Sequence, residues 1–577
     1  MKFLLVAINA KYIHSNPAIY SLRAYAGEVL QKHIELAEYT INQHMQHILA
    51  DIYKRKPDAI GFSCYIWNWR VVQELIGELH KLLPDTDIWL GGPEVTYDAP
   101  EILEAYPSLK GIMVGEGEET FRELLKCYVN QEKLVVPGLC LHTGYTPARD
   151  LLDMNTLPFL YENLEPFTNK IIYYESSRGC PYRCSYCLSS VDKHVRLRDI
   201  SVVKRELQFF LDNRVKQVKF VDRTFNCNHK HAMEIWQYLC ENDNGVTNFH
   251  FEISGDILRE DEIALLNKLR PGLVQLEIGV QSTNPQTLKA IHRVMNVERL
   301  EQIVADIRTG QNVHLHLDLI AGLPFEDYDS FRHSFNRVYK MKPEQLQLGF
   351  LKVLKGSPMH QRAEECGICY LDLPPYEVLA TNWLSYEEIL RLKAIEEMVE
   401  LYYNSNQFTH TLPLLETVFA TPFDMYEKMV QFYEEKGYLI NSPARAYRYE
   451  ILFEFACRWD SEKADMYREL LTYDMYLREN LKSRPAFLAE IVSADKEYIR
   501  KVYREEEQER RLLPSYEQYE WKQLSKMTHM EPFHYPVWDV EAIKKCDVLQ
   551  QRVQYVLFDY AKRNPLNYEA STQIITG

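Results

Sequence analysis

Residues 178–188 read Arg178-Gly179-Cys180-Pro181-Tyr182-Arg183-Cys184-Ser185-Tyr186-Cys187-Leu188. The cysteine spacing is C-x3-C-x2-C, and the segment follows an apolar stretch, 171–175, that predicts a strand. Structural zinc sites usually take four ligands, whereas three thiolates crowd together here. Thiolates are the normal ligands of a cubane [4Fe–4S] cluster, and three on one loop leave one iron free. An open iron can chelate the amino and carboxylate groups of S-adenosylmethionine (SAM), which sets its sulfonium beside a reductant. A chance crowding, or a zinc site with a distant fourth ligand, is the competing reading of the cysteines alone. Tyr186 before the last cysteine, and the motif's place at the first strand of a β/α series, weigh towards the cluster.

Downstream, strand-like segments at 218–221, 249–253, 273–278, 313–319 and 345–350 alternate with helical spacing at 202–212, 230–240, 259–269, 297–310 and 330–341. Six β/α units in a row predict a full or partial (β/α) barrel, with its site at the carboxyl ends of the strands. Upstream, 2–8, 34–39, 59–63, 88–90 and 111–114 predict strands between amphipathic segments at 18–31, 44–54, 71–83 and 118–128. That alternation implies an α/β fold with a doubly wound parallel sheet, whose ligands sit beyond the strand ends. Those ends carry Asn9-Ala10-Lys11, the loop 63–68, Gly91-Gly92-Pro93-Glu94 and Gly115-Glu116-Gly117-Glu118. A connector with Pro137, Pro147, Pro158 and Pro166 separates the two series. Past 371 glycine almost vanishes, and long amphipathic helices dominate, as at 384–403 and 467–482. The expected organisation is 1–135, a linker 136–169, a core 170–370 and a mainly α-helical domain 371–577.

The 577 residues are 46% hydrophobic and 26% charged, an ordinary globular composition. A net charge of −16 excludes nucleic-acid binding by bulk electrostatics, although a local basic groove leaves modified RNA open. No run approaches the ~18 apolar residues of a membrane span, and the N-terminus reads as a strand rather than a signal peptide. A cytoplasmic protein with no membrane association is expected. Of twelve cysteines, three fall within eight residues, which in a reducing compartment points to metal or redox chemistry.

The loop 178–187 resembles the signature loop of the radical SAM superfamily. The resemblance continues in order through Phe220-Val221-Asp222-Arg223-Thr224-Phe225-Asn226, Phe251-Glu252-Ile253-Ser254 and Glu277-Ile278-Gly279-Val280-Gln281-Ser282. It extends to Asp318-Leu319-Ile320-Ala321-Gly322-Leu323-Pro324 and Lys355-Gly356-Ser357-Pro358. It covers about 170–360 and points to the branch holding the methylthiotransferases and the cobalamin-dependent members. It implies a [4Fe–4S] cluster on Cys180, Cys184 and Cys187, with SAM contacts from Tyr186, Asp222, Ser254, Glu277 and Gln281. One electron from the cluster would cleave SAM to methionine and a 5′-deoxyadenosyl radical, which takes a hydrogen atom from the substrate.

The N-terminal domain is similar to the cobalamin-binding domain of that same branch. The implied contacts are Asn9, Ser63, Asn68, Gly91, Gly92, Pro93, Glu94, Gly115 and Glu116, whose glycines would admit a planar corrin. Residues 1–140 hold no Asp-x-His-x-x-Gly, so cobalamin would bind without a histidine ligand, or the domain is vestigial. His14 could face cofactor or substrate, or simply cap the loop. The expected activity is methyl transfer to an unactivated carbon of a small molecule, peptide or modified RNA, with flavodoxin or ferredoxin as electron donor. The alternatives are a cobalamin-associated rearrangement or cyclisation, and a non-catalytic redox sensor or scaffold. The C-terminal region resembles an uncharacterised extension found on one bacterial subgroup, matched at 474–480 and 556–560. Cys366-Gly367-Ile368-Cys369 could bind metal or form a redox pair, but has no matching pair nearby. His529 and His534 flank Glu531 as a weak metal motif.

Overall fold

The computed structural model describes residues 1–440, 443–481, 484–488, 494–546 and 553–575. They form two compact units: Met1–Val313 with Ile320–Asp327 and Gly349–Tyr386, and His314–Leu319 with Tyr328–Leu348 and Glu387–Gly577.

The first unit opens with strands β1 (Phe3–Asn9), β2 (Ile34–Thr40), β3 (Ala59–Ser63), β4 (Asp87–Gly91) and β5 (Leu109–Met113). They lie in the order β2-β1-β3-β4-β5, all parallel. Every residue of β1 is buried, because the sheet is covered on both sides. Leu4, Val6 and Ile8 enter one core, and Phe3, Leu5 and Ala7 enter the other. The helix Trp69–Leu82 buries Trp69, Val72, Leu75, Ile76 and Leu79 on one stripe. The chain order reverses between β1 and β3, the switch point where such sheets bind ligands. The segment expected as a connector contributes more than a linker. Leu139–Leu141 (β6) and Gly144–Tyr145 (β7) extend the sheet antiparallel beyond β5.

A second parallel sheet follows: β8 (Ile172–Tyr174), β9 (Gln217–Phe220), β10 (Asn248–Ile253) and β11 (Val274–Gln281). Its two faces differ in kind. On one, Tyr174, Phe220 and Phe251 pack with Phe225 and Trp236, with ring centroids 4.3–5.4 Å apart. On the other, Tyr173, Lys219, His250 and Gln275 stand abreast in register, with Glu252 and Glu277 in the next row. A polar face on a parallel sheet is unusual. The β/α alternation continues through His314–Ala321, Tyr328–Lys340 and Gln345–Phe350.

The second unit is built on helices Pro422–Lys436, Tyr447–Trp459 and Ala464–Arg478. The last is buried on nearly all sides. The helix expected at 467–482 ends at Arg478, and Lys482 lies outside the described residues. An antiparallel sheet, Thr528–Phe533, Gln554–Arg563 and Ala570–Ile575, joins them. Its middle strand carries Val556–Tyr560. Buried Asp474 accepts from the backbone N–H groups of His410 and Thr411 at 3.0 and 2.9 Å, capping the helix Thr411–Leu415.

Candidate cofactor site

The cysteine loop leaves β8 through a two-residue ribbon in which Ser177–Arg178 pairs with Arg196–Leu197. Gly179 then turns with φ +95, and a Cβ there would lie 2.4 Å from the His194 carbonyl oxygen. Only glycine fits that path. The loop is tied from several sides: Cys180 N–H to Asp192 O (3.1 Å), Ser185 N–H to Ile291 O (2.9 Å), and Met359 N–H to Ser185 O (2.8 Å). Cys180 and Cys184 are buried, Cys187 is half-buried, and all three thiols are free. Thr224 Oγ1 lies 3.5 Å from Cys180 Sγ. Arg293 Nη1 donates to Cys184 Sγ at 3.7 Å, a positive charge beside sulfurs that carry negative charge as ligands. Among the described residues no three His, Cys, Asp or Glu side chains form a ready-made site for a single metal ion.

Residues around this loop fit a cluster and a polar nucleoside ligand. Ser185 Oγ, Arg293 Nε and Gln281 Oε1 are buried polar atoms with no partner among the described residues. Buried groups of that kind call for a ligand or water. Two of them meet at Gly279: Arg293 also hydrogen-bonds its carbonyl, and Gln281 Nε2 occupies the space a Gly279 Cβ would need, 2.2 Å away. Gln281 itself holds φ +72, a strained conformation for a side chain.

The other expected SAM residues have protein partners. Asp222 accepts from Ser176 N–H (2.9 Å) and from the hydroxyls of Ser176 (2.7 Å) and Ser177 (2.5 Å). Burial pushes its carboxyl up to about 6. Ser254 donates to Asp256 at 3.0 Å and exchanges hydrogen bonds with Asn226. Glu277 meets Lys219 at 3.0 Å and His250 at 2.8 Å on the polar face. Burial is the main reason that the Tyr186 phenol is held well above its ordinary range.

At the ends of β3, β4 and β5 a cavity of about 150 Å³ is lined by Gly61, Ser63, Gly91, Gly92, Gly115 and Gly117. Gly92 (φ +110) is obligatory, since a Cβ would sit 2.5 Å from Cys64 O. Gly115 (φ +82) faces open space, a cradle in which a flat ligand can approach the backbone. Asn68 is a staple: its amide donates to Ile8 O (3.0 Å) and Ser63 O (2.8 Å), and its oxygen accepts from Tyr65 N–H (2.8 Å). Asn9 donates to His14 O at 3.1 Å, and Ser63 accepts from Asn16 at 3.4 Å. Pro93 and Glu94 begin a helical turn, and Glu94 hydrogen-bonds Tyr376. Cys64 is fully buried, its thiol held far above the usual range.

A larger cavity, about 430 Å³, is lined by Tyr65, Glu116 and Glu118 from the first sheet's loops and by Ser177, Arg178 and Gly179 from the cysteine loop. The two cavities share Ala18, Tyr65 and Glu118. Glu116 is held by Arg178 and Arg196, both at 2.9 Å. His14 reaches β8: Ile171 N–H donates to Ile13 O at 2.8 Å, and His14 Nδ1 lies 2.6 Å from the Tyr173 hydroxyl. Burial raises the Tyr173 phenol to about 12. Burial, then Lys11 and Lys219, lowers His14, so the hydrogen bond joins the phenol to a neutral ring.

The motif at 355–358 docks on Tyr97 and Asp98, past the Gly91-Gly92-Pro93-Glu94 turn. Lys355 pairs with Asp98, and Gly356 packs against the Tyr97 ring. Cys366 is buried and Cys369 exposed, both free. His529 pairs with Glu531 at 2.8 Å and stacks on Tyr476, whereas His534 pairs with Glu469, so that motif does not converge. Arg293 and the tie from Met359 carry no sequence signal, because each lies far along the chain from the loop it supports.

Comparison with known proteins accords with this geometry. The family described as "B12 binding domain" matches residues 4–125, and "Radical SAM superfamily" matches 174–338. The chain thus carries a B12-binding domain followed by a radical SAM domain. A third family, "Protein of unknown function (DUF4080)", matches residues 364–558. The cobalamin-dependent radical SAM methyltransferase TokK of Streptomyces tokunonensis is 25% identical over 345 residues, covering 54% of this chain and 50% of that protein. The 2-(S-pantetheinyl)-carbapenam-3-carboxylate methyltransferase of Streptantibioticus cattleyicolor is 27% identical over 308 residues, covering 48% and 44%. The chain thus spans about half the length of these relatives. The solved structure of the cobalamin-dependent SAM radical enzyme OxsB, with aqua-cobalamin and SAM bound, shares the fold, with a TM-score of 0.56 and 15% identity over 81% of this chain and 78% of that one. The radical SAM domain implies a [4Fe–4S] cluster and SAM, and the B12-binding domain implies cobalamin. Among the described residues no helix is long and apolar enough to cross a membrane.

Proposed function

We propose that this protein is a cobalamin-dependent radical SAM methyltransferase acting on an unactivated carbon, with the cluster on Cys180, Cys184 and Cys187. The observation that carries the reading is the shared cavity: the strand-end loops of the B12-binding domain and the cysteine loop line one space. Bound there, the cluster with SAM supplies a carbon-centred radical, and the corrin supplies a methyl carrier. The protein's own residues hold and orient. Arg293 neutralises charge beside Cys184, and Gln281, Ser185 and Arg293 offer unpartnered polar atoms to SAM. Gly115, which faces open space, lets the corrin approach the backbone, and Gly92 sets the path of the neighbouring strand-end turn. Asp222 and Ser254 support SAM through the loops they cap. Glu277 sits on the polar face, where Lys219, His250, Tyr173 and His14 present paired, mostly satisfied groups to a substrate. Relatives named as methyltransferases favour methyl transfer over cyclisation, rearrangement or a sensor role. A small molecule or peptide fits the acidic chain better than RNA. A ferredoxin or flavodoxin in a reducing cytoplasm is the fitting electron donor.

Anaerobic reconstitution with dithionite, SAM and cobalamin tests this by mass spectrometry of SAM-derived products. Formation of 5′-deoxyadenosine together with S-adenosylhomocysteine is expected. Cys184→Ala should abolish 5′-deoxyadenosine, because the cluster loses one of three thiolates. Turnover retained in that variant would refute the ligand assignment.

A further inference from the structure

Arg178 occupies the joint between the two cofactor-bearing loops. All three of its guanidinium nitrogens are engaged. Nε and Nη2 grip Glu175 at 3.0 and 2.8 Å, Nη1 takes Glu116 at 2.9 Å, and Nη2 takes Glu118 at 2.9 Å. Beside it in the ribbon, Arg196 binds the same Glu116 through both terminal nitrogens, at 2.9 and 3.1 Å. Glu118 is buried and opens the helix Glu118–Asn130.

Neither side of this joint has slack. From Arg178 the chain passes directly through Gly179, wedged against His194 O, to Cys180. From Glu116 it passes back to Gly115, which borders the cradle at the ends of the first sheet's strands. A planar fork on several carboxylates fixes direction as well as distance, which a point charge does not.

We propose that Arg178 is a positioning residue that couples the two cofactor sites, so that an assembled cluster tightens cobalamin binding and bound cobalamin tightens the cluster loop. This rests on the cofactor reading above. A displaced cysteine loop withdraws Arg178 from Glu116 and Glu118, leaving them only Arg196, Leu152 and Ser21, and an ordered one restores the full set of holds. The free-energy coupling is reciprocal by necessity. Simple ion-pair glue would stabilise the fold without making either site depend on the other.

The test titrates hydroxocobalamin into iron-free and cluster-loaded full-length protein under anaerobic conditions, read by corrin absorbance. Wild-type protein should bind at least about fivefold more tightly when cluster-loaded, the lower end of ordinary coupling. In Arg178→Gln that ratio should fall to within about twofold of unity, while iron stays near four per chain. Glu118→Gln, on the other domain, should lower the ratio in the same way. It decides the matter if Arg178→Gln fails to take up iron. A wild-type ratio of one overturns the coupling and leaves the cofactor reading standing, and a ratio preserved in Glu118→Gln also overturns it. Absence of cobalamin binding in either form overturns the cofactor reading itself, and the coupling with it.

Discussion

Gly179→Ala is the sharpest single perturbation of the cysteine loop. Its φ of +95 costs an alanine about 1–2 kcal/mol. The added methyl would also lie 2.4 Å from His194 O and 2.9 Å from His194 C. Those are backbone atoms, so no side chain can swing aside. Relief requires the 178–180 and 194–196 segments to part by close to 1 Å, since ordinary contact begins near 3.4 Å. That opening strains the Cys180 N–H to Asp192 O bond and the ribbon pairing, each worth about 1 kcal/mol. The sum is roughly 3 kcal/mol, concentrated at the first cluster ligand. Metal–ligand distances tolerate about 0.2 Å, so iron uptake fails before the fold does. The assay is iron per chain after anaerobic reconstitution, paired with thermal unfolding. Gly115→Ala is the control: it carries the same class of φ penalty but meets nothing within 4 Å. It should keep its iron and lose cobalamin affinity. Full iron uptake by Gly179→Ala with an unchanged melting temperature would refute the reasoning.

Arg293→Met should make the cluster harder to reduce, because the guanidinium beside Cys184 favours the more negative reduced state. A redox titration followed by electron paramagnetic resonance should place the midpoint at a more negative potential, and an unchanged potential would remove Arg293 from the electrostatic account. In the second unit, burial and then Arg484 lower the His529 imidazole to about 3. A group whose folded pKa lies below its unfolded 6.5 adds stability that is complete above 6.5 and drains as pH falls towards 3. At pH 5 the loss is about 2 kcal/mol. Urea midpoints between pH 7 and pH 5 should therefore converge for wild type and His529→Gln, and parallel curves would show that His529 does not titrate as buried.

The parts of the fold with a strong period were legible from the sequence. The first five strands read as apolar runs because a parallel sheet covered on both sides needs no alternation, and 2–8 became the wholly buried β1. The cysteine loop was legible because its chemistry is local. The antiparallel strands β6 and β7 were not, since two or three residues carry no period and their proline-rich surroundings read as a linker. The C-terminal sheet had the same difficulty: 556–560 looks like any short apolar run, and only its partners 528–533 and 570–575 make it a middle strand. Among site residues, Asn68 reads from the sequence only as a polar loop residue near a ligand, because its three hydrogen bonds to β1, β3 and the following turn join segments far apart along the chain. Arg293 was invisible because nothing in its neighbours announces a sulfur 109 residues away.

The polar face of the second sheet explains why apolar patterning alone stops short of the site. Tyr174, Phe220 and Phe251 fix the sheet by burial on one side. The opposite row of Tyr173, Lys219 and His250 gains nothing from burial and must be satisfied pairwise, which Lys219–Glu277, His250–Glu277 and His14–Tyr173 accomplish. Such pairs are chosen in three dimensions and leave no spacing in one. The same holds for Arg178 and Arg196 on Glu116. Hydrophobic periodicity thus sets where each sheet lies, and charge pairing sets how their working ends face a common cavity. It follows that exchanging Glu116 for glutamine should disturb cofactor loading more than global stability, since its ion pairs orient loops that other contacts already fold.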